Sequence, residues 1–206
     1  MATLSSAGTD LILEFEGFDP TPSWPKASSG VTIGFGYDLG YVSIDEFASD
    51  WGAFISDAGE LNALIKCVGL TGLSAKAVVP KVSAIKVTKT ASRLVFLQRS
   101  MPKAELNTRK AFPRSVELCD NAYSALVSLV FNRGGSMTDP LGDPMQRRKE
   151  MREIRDTMSS NTMSNQQKLV AIAKSLRSMK RIWKGQGLAG LIKRRESEAR
   201  LVETCG

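Results

Sequence analysis

The sequence contains no histidine, and only three of its 206 residues are cysteine. A Ser-His-Asp or Cys-His triad is therefore excluded, and a zinc hydrolase is disfavoured because its commonest ligand is missing. The three cysteines are widely spaced and odd in number, so neither a disulfide framework nor a metal site is indicated. Any catalysis must rest on carboxylates, and we expect no cofactor.

Long apolar runs and a secretory signal are also missing. No apolar run approaches the length of about 20 residues that a membrane-spanning helix needs. The N-terminus, MATLSSAGTD, lacks the basic start and the apolar middle of a signal peptide. We therefore expect a protein with no membrane span that is made in the cytoplasm. Action outside the cytoplasm would need another export route.

Positive charge is scarce in the first part of the chain and abundant in the rest. Residues 1–79 hold three Lys/Arg against ten Asp/Glu, whereas residues 80–206 hold twenty-five against eleven. This asymmetry indicates a basic face for an anionic polymer, with a solvated face as the alternative. Nucleic acid and the bacterial envelope are both candidates. No helix-turn-helix or zinc pattern is visible, so the sequence gives no second sign of nucleic-acid binding.

One stretch, from Leu11 to Gly40, places reactive groups at a junction of structures. Apolar residues at helical spacing end in Glu16-Gly17, and glycine at such a point is the usual helix stop. Glu16 then lies in the last turn of a helix, where the macrodipole disfavours a carboxylate. With Phe15 and Phe18 beside it, we expect this carboxyl group to stay partly protonated near neutral pH, as a general acid requires.

After a Pro-rich loop, residues 31–38 alternate with period two, which predicts a strand with two different faces. The apolar face consists of Val31, Ile33, Phe35 and Tyr37. The polar, nearly bare face consists of Thr32, Gly34, Gly36 and Asp38. The second face suits a cleft floor, since glycines let a ligand approach the backbone. Two carboxylates flanking a cleft are what glycosidic hydrolysis needs, although Gly-rich alternation is also typical of ordinary hairpins.

The residues E-G-F, a short loop and G-V-T-I-G-F-G-Y-D-L-G resemble the catalytic stretch of the T-even phage lysozyme superfamily (glycoside hydrolase family 24), most closely its pesticin-like branch. The resemblance implies Glu16 as the general acid and Thr32 as the residue that positions the nucleophilic water. It also implies Asp38 as the catalytic aspartate. Gly34 and Tyr37, within the same motif, are expected to contact the substrate.

The second carboxylate has an alternative. The phage enzymes place their aspartate before Thr-Ile-Gly, where this chain has about Lys26, so Asp19 is the only earlier acid after the glutamate. A straight strand would also separate Thr32 from Asp38 by roughly 20 Å. Both can serve one bond only if the chain turns back near residues 34–36.

The rest of the chain reads as helical. Residues 120–134 are apolar on nearly every side, which predicts a helix buried all round that Asp120 can cap. Its A-L-V-S-L-V-F-N-R-G resembles the central helix of these lysozymes, which implies Asn132 as a substrate contact, although a C-cap role fits equally well. Residues 145–183 read as two basic helices with a dense cationic cluster at residues 146–152. The ending G-L-x-x-R-R-x-x-E resembles the family ending, in which Arg194 and Glu198 can pair.

Together these features predict an α+β, predominantly helical protein with a lysozyme-like two-lobe fold. We expect one catalytic domain over 1–206, with a small β-hairpin or sheet lobe at about 17–70 and a helical lobe from 1–16 and 71–206. The resemblance implies a monomeric muramidase, or endolysin, that cuts the β-1,4 bond between N-acetylmuramic acid and N-acetylglucosamine.

The expected partners are peptidoglycan and, through the basic helical lobe, anionic envelope polymers, but not nucleic acid. We expect the protein to act on the cell wall in the periplasm after release by a holin or a secretion system. A secreted antibacterial effector or bacteriocin toxin domain with the same activity is one alternative. A basic helical nucleic-acid-binding protein is the other.

Overall fold

The computed structural model describes residues 1–205, and 62% of the chain is helical. The α-helices are α1 (Ser6–Glu16), α2 (Ile44–Trp51), α3 (Ala58–Ile65), α4 (Gly72–Val82), α5 (Lys89–Ala111), α6 (Asp120–Arg133), α7 (Lys149–Ser159), α8 (Asn165–Ser178) and α9 (Ala189–Glu203). The strands are β1 (Asp19–Ser23), β2 (Thr32–Gly34) and β3 (Tyr37–Asp38). Short 3-10 helices cover Leu39–Tyr41, Pro113–Glu117 and Met179–Ile182. The α+β, predominantly helical class is therefore confirmed.

The chain divides into two compact units. The sheet unit is Glu16–Pro102, and the helical unit comprises Met1–Phe15 together with the segment from Lys103 onward. The sheet unit is longer than the lobe at 17–70 that the sequence indicated. The reason is packing, because Val82 of α4 and Val95 of α5 are buried in the same apolar core as Ile33 of β2.

Local sequence signals account for most of the sheet unit. Helix α1 ends at Glu16, and Gly17 follows it with φ +73° in the left-handed region, as its glycine predicted. Ser43 and Glu46 form a capping box at the start of α2. Two inward residues of that helix, Phe47 and Trp51, are buried. The three strands form one antiparallel sheet in the order β1-β2-β3.

Helix α6 forms the centre of the helical unit. Every residue from Ala122 to Val130 is buried, which confirms the prediction of a helix surrounded by other elements. Its cap is Cys119, whose sulfur accepts from the Ala122 N–H, and the expectation that Asp120 caps the helix is wrong. Asp120 instead accepts from the Thr3 N–H at 2.9 Å.

Cys119 also forms a disulfide with Cys205, so the expectation of no disulfide is wrong as well. The two Cα atoms lie 6.2 Å apart, within the usual range for a disulfide. The partners are separated by 86 residues, and only the return of α9 to the start of α6 brings them together. Spacing along the chain could not reveal that pairing.

The predicted pair of Arg194 and Glu198 is present, with 3.5 Å between Nε and Oε1. Glu198 also accepts from Arg195 and from the Ser128 hydroxyl, each at 2.6 Å, and all four residues are buried. An exposed pair on one helix contributes a few tenths of a kcal/mol, whereas removing one partner of a buried pair strands a charge and costs about 3–5 kcal/mol. The cluster therefore links α6 to α9 and is not confined to the surface of one helix.

The cationic cluster at residues 146–152 binds to the loop that precedes it. Arg152 pairs with Asp139 at 2.9 Å and donates to the Met137 carbonyl at 2.8 Å. Arg148 donates from its backbone N–H to Asp139 at 2.5 Å and from its side chain to the Gly134 carbonyl. Much of the charge of this cluster is therefore already bound within the unit.

Glu196 joins α8 to α9 and gives a test by pH. Its carboxylate accepts from Lys180 at 2.8 Å and from Arg177 at 3.1 Å, and the Lys180 bond is the main reason that its pKa falls to about 2. A depressed folded-state pKa stabilises the fold above the ordinary value of 4.5 and loses that effect as the pH falls through about 2. Glu196→Gln should therefore lower the free energy of unfolding at pH 6, with a gap that closes between pH 4.5 and pH 2.

Urea denaturation at a series of pH values measures that gap. Glu153→Gln is the matched control, since the exposed Glu153 lies 3.8 Å from Lys149 within one helix and should change little. Parallel stability curves for Glu196→Gln and the wild type would contradict the role given to Glu196.

Candidate active site

The hairpin of β2 and β3 brings together two of the residues that the sequence singled out. Gly34 and Gly36 have φ of +64° and +82°, so the chain reverses direction between the two strands. Thr32 consequently pairs directly with Asp38 across the hairpin. Opposed Cα atoms in antiparallel strands lie about 4.5–5.5 Å apart rather than the 20 Å of a straight strand. The turn that a shared site requires is present.

The Asp38 carboxylate is held by backbone donors. Its Oδ1 accepts from the Gly30 N–H at 2.9 Å and from the Gly40 N–H at 2.8 Å, and Asp38 caps the 3-10 helix Leu39–Tyr41. A Cβ on Gly30 would collide with Oδ1 and with the Gly40 backbone, so this contact demands a glycine. Oδ2 accepts only a longer bond from Gly30, at 3.2 Å, which leaves it lone pairs for a further donor.

Thr32 approaches the same glycine from the other side. The side chain is half-buried, and its hydroxyl donates to the Gly30 carbonyl at 3.4 Å, a long hydrogen bond. Gly30 therefore meets Asp38 through its N–H and Thr32 through its carbonyl. A hydroxyl held this loosely can turn to a water or a substrate atom.

Glu16 enters the sheet unit at the edge of the same sheet. It is exposed and is the last residue of α1, three positions before Asp19. Asp19 pairs with Gly34, so the chain leaves Glu16 near the end of β1 that faces the turn between β2 and β3. The Asp19 carboxylate accepts from the N–H and the hydroxyl of Thr21, at 3.1 and 3.2 Å. Both candidate aspartates are thus engaged by neighbouring donors.

Tyr37 has its own partner. Its hydroxyl donates to Asp50 at 2.7 Å, and its ring packs against Phe47 and Trp51. Burial raises the pKa of the Tyr37 hydroxyl, and the bond to Asp50 raises it further. Asp50 also accepts from Arg99 at 2.5 Å, and this acid–base pair was missed from the sequence. Arg99 also lies 3.4 Å from Glu46. Two acidic residues four positions apart on α2, Glu46 and Asp50, were the available sign that this helix face binds a basic side chain.

The other two expected substrate contacts lie at defined places. At Gly34, a Cβ would come within 2.8 Å of the Ser92 side chain, so a close approach of backbone to α5 also requires this glycine. Asn132 is exposed in the last turn of α6, in the helical unit. The C-cap of α6 is Gly134, whose N–H donates to the Val130 carbonyl, and not Asn132.

Two further findings concern cofactors and membranes. Among residues 1–205, no group of three or more acidic or cysteine side chains is arranged to hold a metal ion. Within the same residues, every helix is too short or too polar to cross a bilayer.

The family described as "Domain of unknown function (DUF8812)" matches residues 3–110, which is more than half of the chain. The chain belongs to this family. No curated protein matches it. The DUF8812 match covers the whole sheet unit, including Glu16, Thr32 and Asp38, and ends before Asn132.

Sixteen solved chains match the structure. One is the crystal structure of the active form of the P1 phage endolysin Lyz, with a TM-score of 0.52 and 20% sequence identity. The match covers 98% of this chain and 85% of that chain. This DUF8812 protein therefore has a lysozyme-like α+β fold, as the sequence predicted.

The contribution of Asp38 to the stability of the fold can be measured separately from any catalytic role. Asp38→Ala leaves two backbone N–H groups without an acceptor and should cost about 1–2 kcal/mol of stability, the upper range for a lost cap. Asp38→Asn keeps Oδ1 and should retain most of that stability. Urea denaturation provides the measurement. Asp57→Ala, which removes a single cap bond to the Glu60 N–H, is the control and should cost less. Equal costs would argue against the two-donor role of Asp38.

Proposed function

We propose that the protein is a peptidoglycan hydrolase of the lysozyme type, a muramidase that cuts the β-1,4 bond between N-acetylmuramic acid and N-acetylglucosamine. One observation carries this proposal. A glutamate ends the helix before a small sheet in which a threonine is paired with an aspartate, within a chain of lysozyme-like fold. The endolysin named above supports a cell-wall substrate.

In this proposal Glu16 donates a proton to the leaving glycosidic oxygen. Asp38 and Thr32 position the water that attacks the sugar, with Oδ2 of Asp38 as the acceptor that backbone donors leave least occupied. A water between the two carboxyl groups needs a separation on the order of 6.5–9.5 Å and gives inversion. Gly34, Tyr37 and Asn132 are the proposed substrate contacts, and the reaction needs no cofactor.

The proposed setting is the cell wall reached from the cytoplasm through a holin or a secretion system. A phage endolysin is the form that the likeness to Lyz favours. A secreted effector or bacteriocin domain would use the same chemistry on the same bond.

Clearing of chloroform-permeabilised Gram-negative cells tests the activity, and mass spectrometry of digested sacculi identifies the bond. Muramidase activity should release fragments that end in reducing N-acetylmuramic acid. Reducing N-acetylglucosamine ends, or release of peptides alone, would refute the proposed bond specificity.

Single substitutions test the proposed roles. Glu16→Gln should lower turnover by about 10²- to 10⁴-fold, the usual effect of losing a proton-transfer group, with the fold intact. Asp38→Asn should be as inactive, because the amide retains the Gly30 and Gly40 bonds but not the charge. Asp19→Asn should keep most activity. The opposite result for the two aspartates would assign the second carboxylate to Asp19.

We also propose that the basic helical unit attracts anionic envelope polymers. The exposed lysines 103, 174 and 184 form no ion pair within residues 1–205, unlike Arg152 with its bond to Asp139. Changing these three lysines to glutamine should weaken binding to sacculi at low salt. The difference from the wild type should vanish near 0.5 M salt, because the screening length shortens as salt is added. Cleavage of a short soluble muropeptide should stay unchanged. Equal binding at low salt would leave the lysines as a solvated face.

A further inference from the structure

The loop from Trp24 to Gly30, called here the aromatic loop, is fixed by a hydrogen bond within itself and by two other parts of the sheet unit. The Trp24 indole N–H donates to the Ser29 carbonyl at 3.1 Å, and the Gly72 N–H donates to the same oxygen at 2.9 Å. The Tyr41 hydroxyl donates to the Ser28 carbonyl at 2.8 Å. Two consecutive carbonyls are thus tied down, so the loop is a rigid part of the surface.

Tyr41 presents an open aromatic ring beside the proposed catalytic aspartate. Its side chain is 65% exposed although its hydroxyl is anchored. Asp38 caps the 3-10 helix that Tyr41 ends, and the two side chains bond to neighbouring residues of the aromatic loop, Gly30 and Ser28. Tyr41 therefore lies on the same edge of the sheet unit as Asp38. Trp24 differs, because it packs on the core and Lys76 lies over its ring, 5.5 Å from the centroid.

Two of the three positive charges in residues 1–79 lie at this loop. Residues 1–79 contain three lysines and no arginine, against ten acidic residues. Lys26 lies in the loop, with φ +97°, and Lys76 lies over Trp24. Both are exposed, and neither pairs with a carboxylate within residues 1–205. The third, Lys66, is the C-cap of α3.

We propose that Tyr41, Lys26 and Lys76 form a subsite that selects peptide-bearing glycan. The inference rests on the proposed function and names the form of substrate that the site prefers. The apolar C–H face of a pyranose ring stacks on the Tyr41 ring, as flat apolar groups do on aromatic side chains. The two ammonium groups attract carboxylates on the peptide attached to the sugar. A glycan without carboxylates engages only the ring.

The test measures binding by the full chain in a Glu16→Gln background, so that the substrate is not consumed. The probes are whole sacculi, a soluble peptide-bearing disaccharide oligomer, and an oligomer of N-acetylglucosamine. Tyr41→Ala should weaken binding of both soluble probes by about three- to tenfold, in the range expected for one aromatic contact. Lys26→Gln with Lys76→Gln should weaken only the peptide-bearing probe, by about three- to tenfold at low salt.

Two controls match these changes. Lys66→Gln removes the third lysine and should leave both affinities unchanged, as should Ile44→Ala, which removes a 53% exposed apolar side chain. Thermal melting of each variant separates loss of binding from loss of fold. For any variant with a lowered melting point, Tyr41→Leu, which keeps an apolar side chain but not the ring, or the single Lys26→Gln repeats the comparison with a smaller change.

If Tyr41→Ala binds like the parent, or if the lysine changes weaken both probes equally, the subsite is wrong while the proposed hydrolase stands. The subsite is equally wrong if Lys66→Gln matches the effect of the other two lysines. If the parent binds no sacculi and the wild type releases no sugar fragments, the proposed function itself fails.

Discussion

The candidate site depends on two hydrogen bonds that the Asp38 carboxylate accepts from backbone N–H groups. One carboxylate oxygen holds Gly30, before the hairpin, and Gly40, after it. That contact closes the hairpin and begins the 3-10 helix that carries Tyr41. Because Thr32 bonds the same Gly30, the hydroxyl and the carboxylate are positioned by a single close approach of backbone.

The parts of this structure that sequence patterns predicted are those set by neighbours along the chain. The helix stop at Gly17 and the all-round burial of α6 were each read from residues within about four positions of one another. The site motif was visible for the same reason. Its geometry was left open, since alternation fits a straight strand as well as a turn near residues 34–36, and the left-handed glycines produce the pairing of Thr32 with Asp38.

What the sequence could not predict depends on distant contacts. The disulfide between Cys119 and Cys205 and the bond between Asp50 and Arg99 join elements far apart in the chain. Charge counting failed for a related reason. Arg181 binds the buried Glu150, and Arg152 binds Asp139, so the excess of arginine in the helical unit partly serves its own acids and carbonyls. Net charge therefore overstates what the surface offers to a partner.

Lys26 combines a positive charge with a backbone conformation that lysine seldom adopts. It stands about where the phage order has its aspartate, and its backbone has φ +97°, which lysine adopts less readily than aspartate or asparagine does. An acidic residue would suit that backbone better. The strain is tolerated because Trp24 fixes the loop from within, and Tyr41 and Gly72 fix it from outside. In the proposed mechanism the second carboxylate is therefore Asp38, whose backbone partners come from both ends of the hairpin, and the loop presents a cation instead.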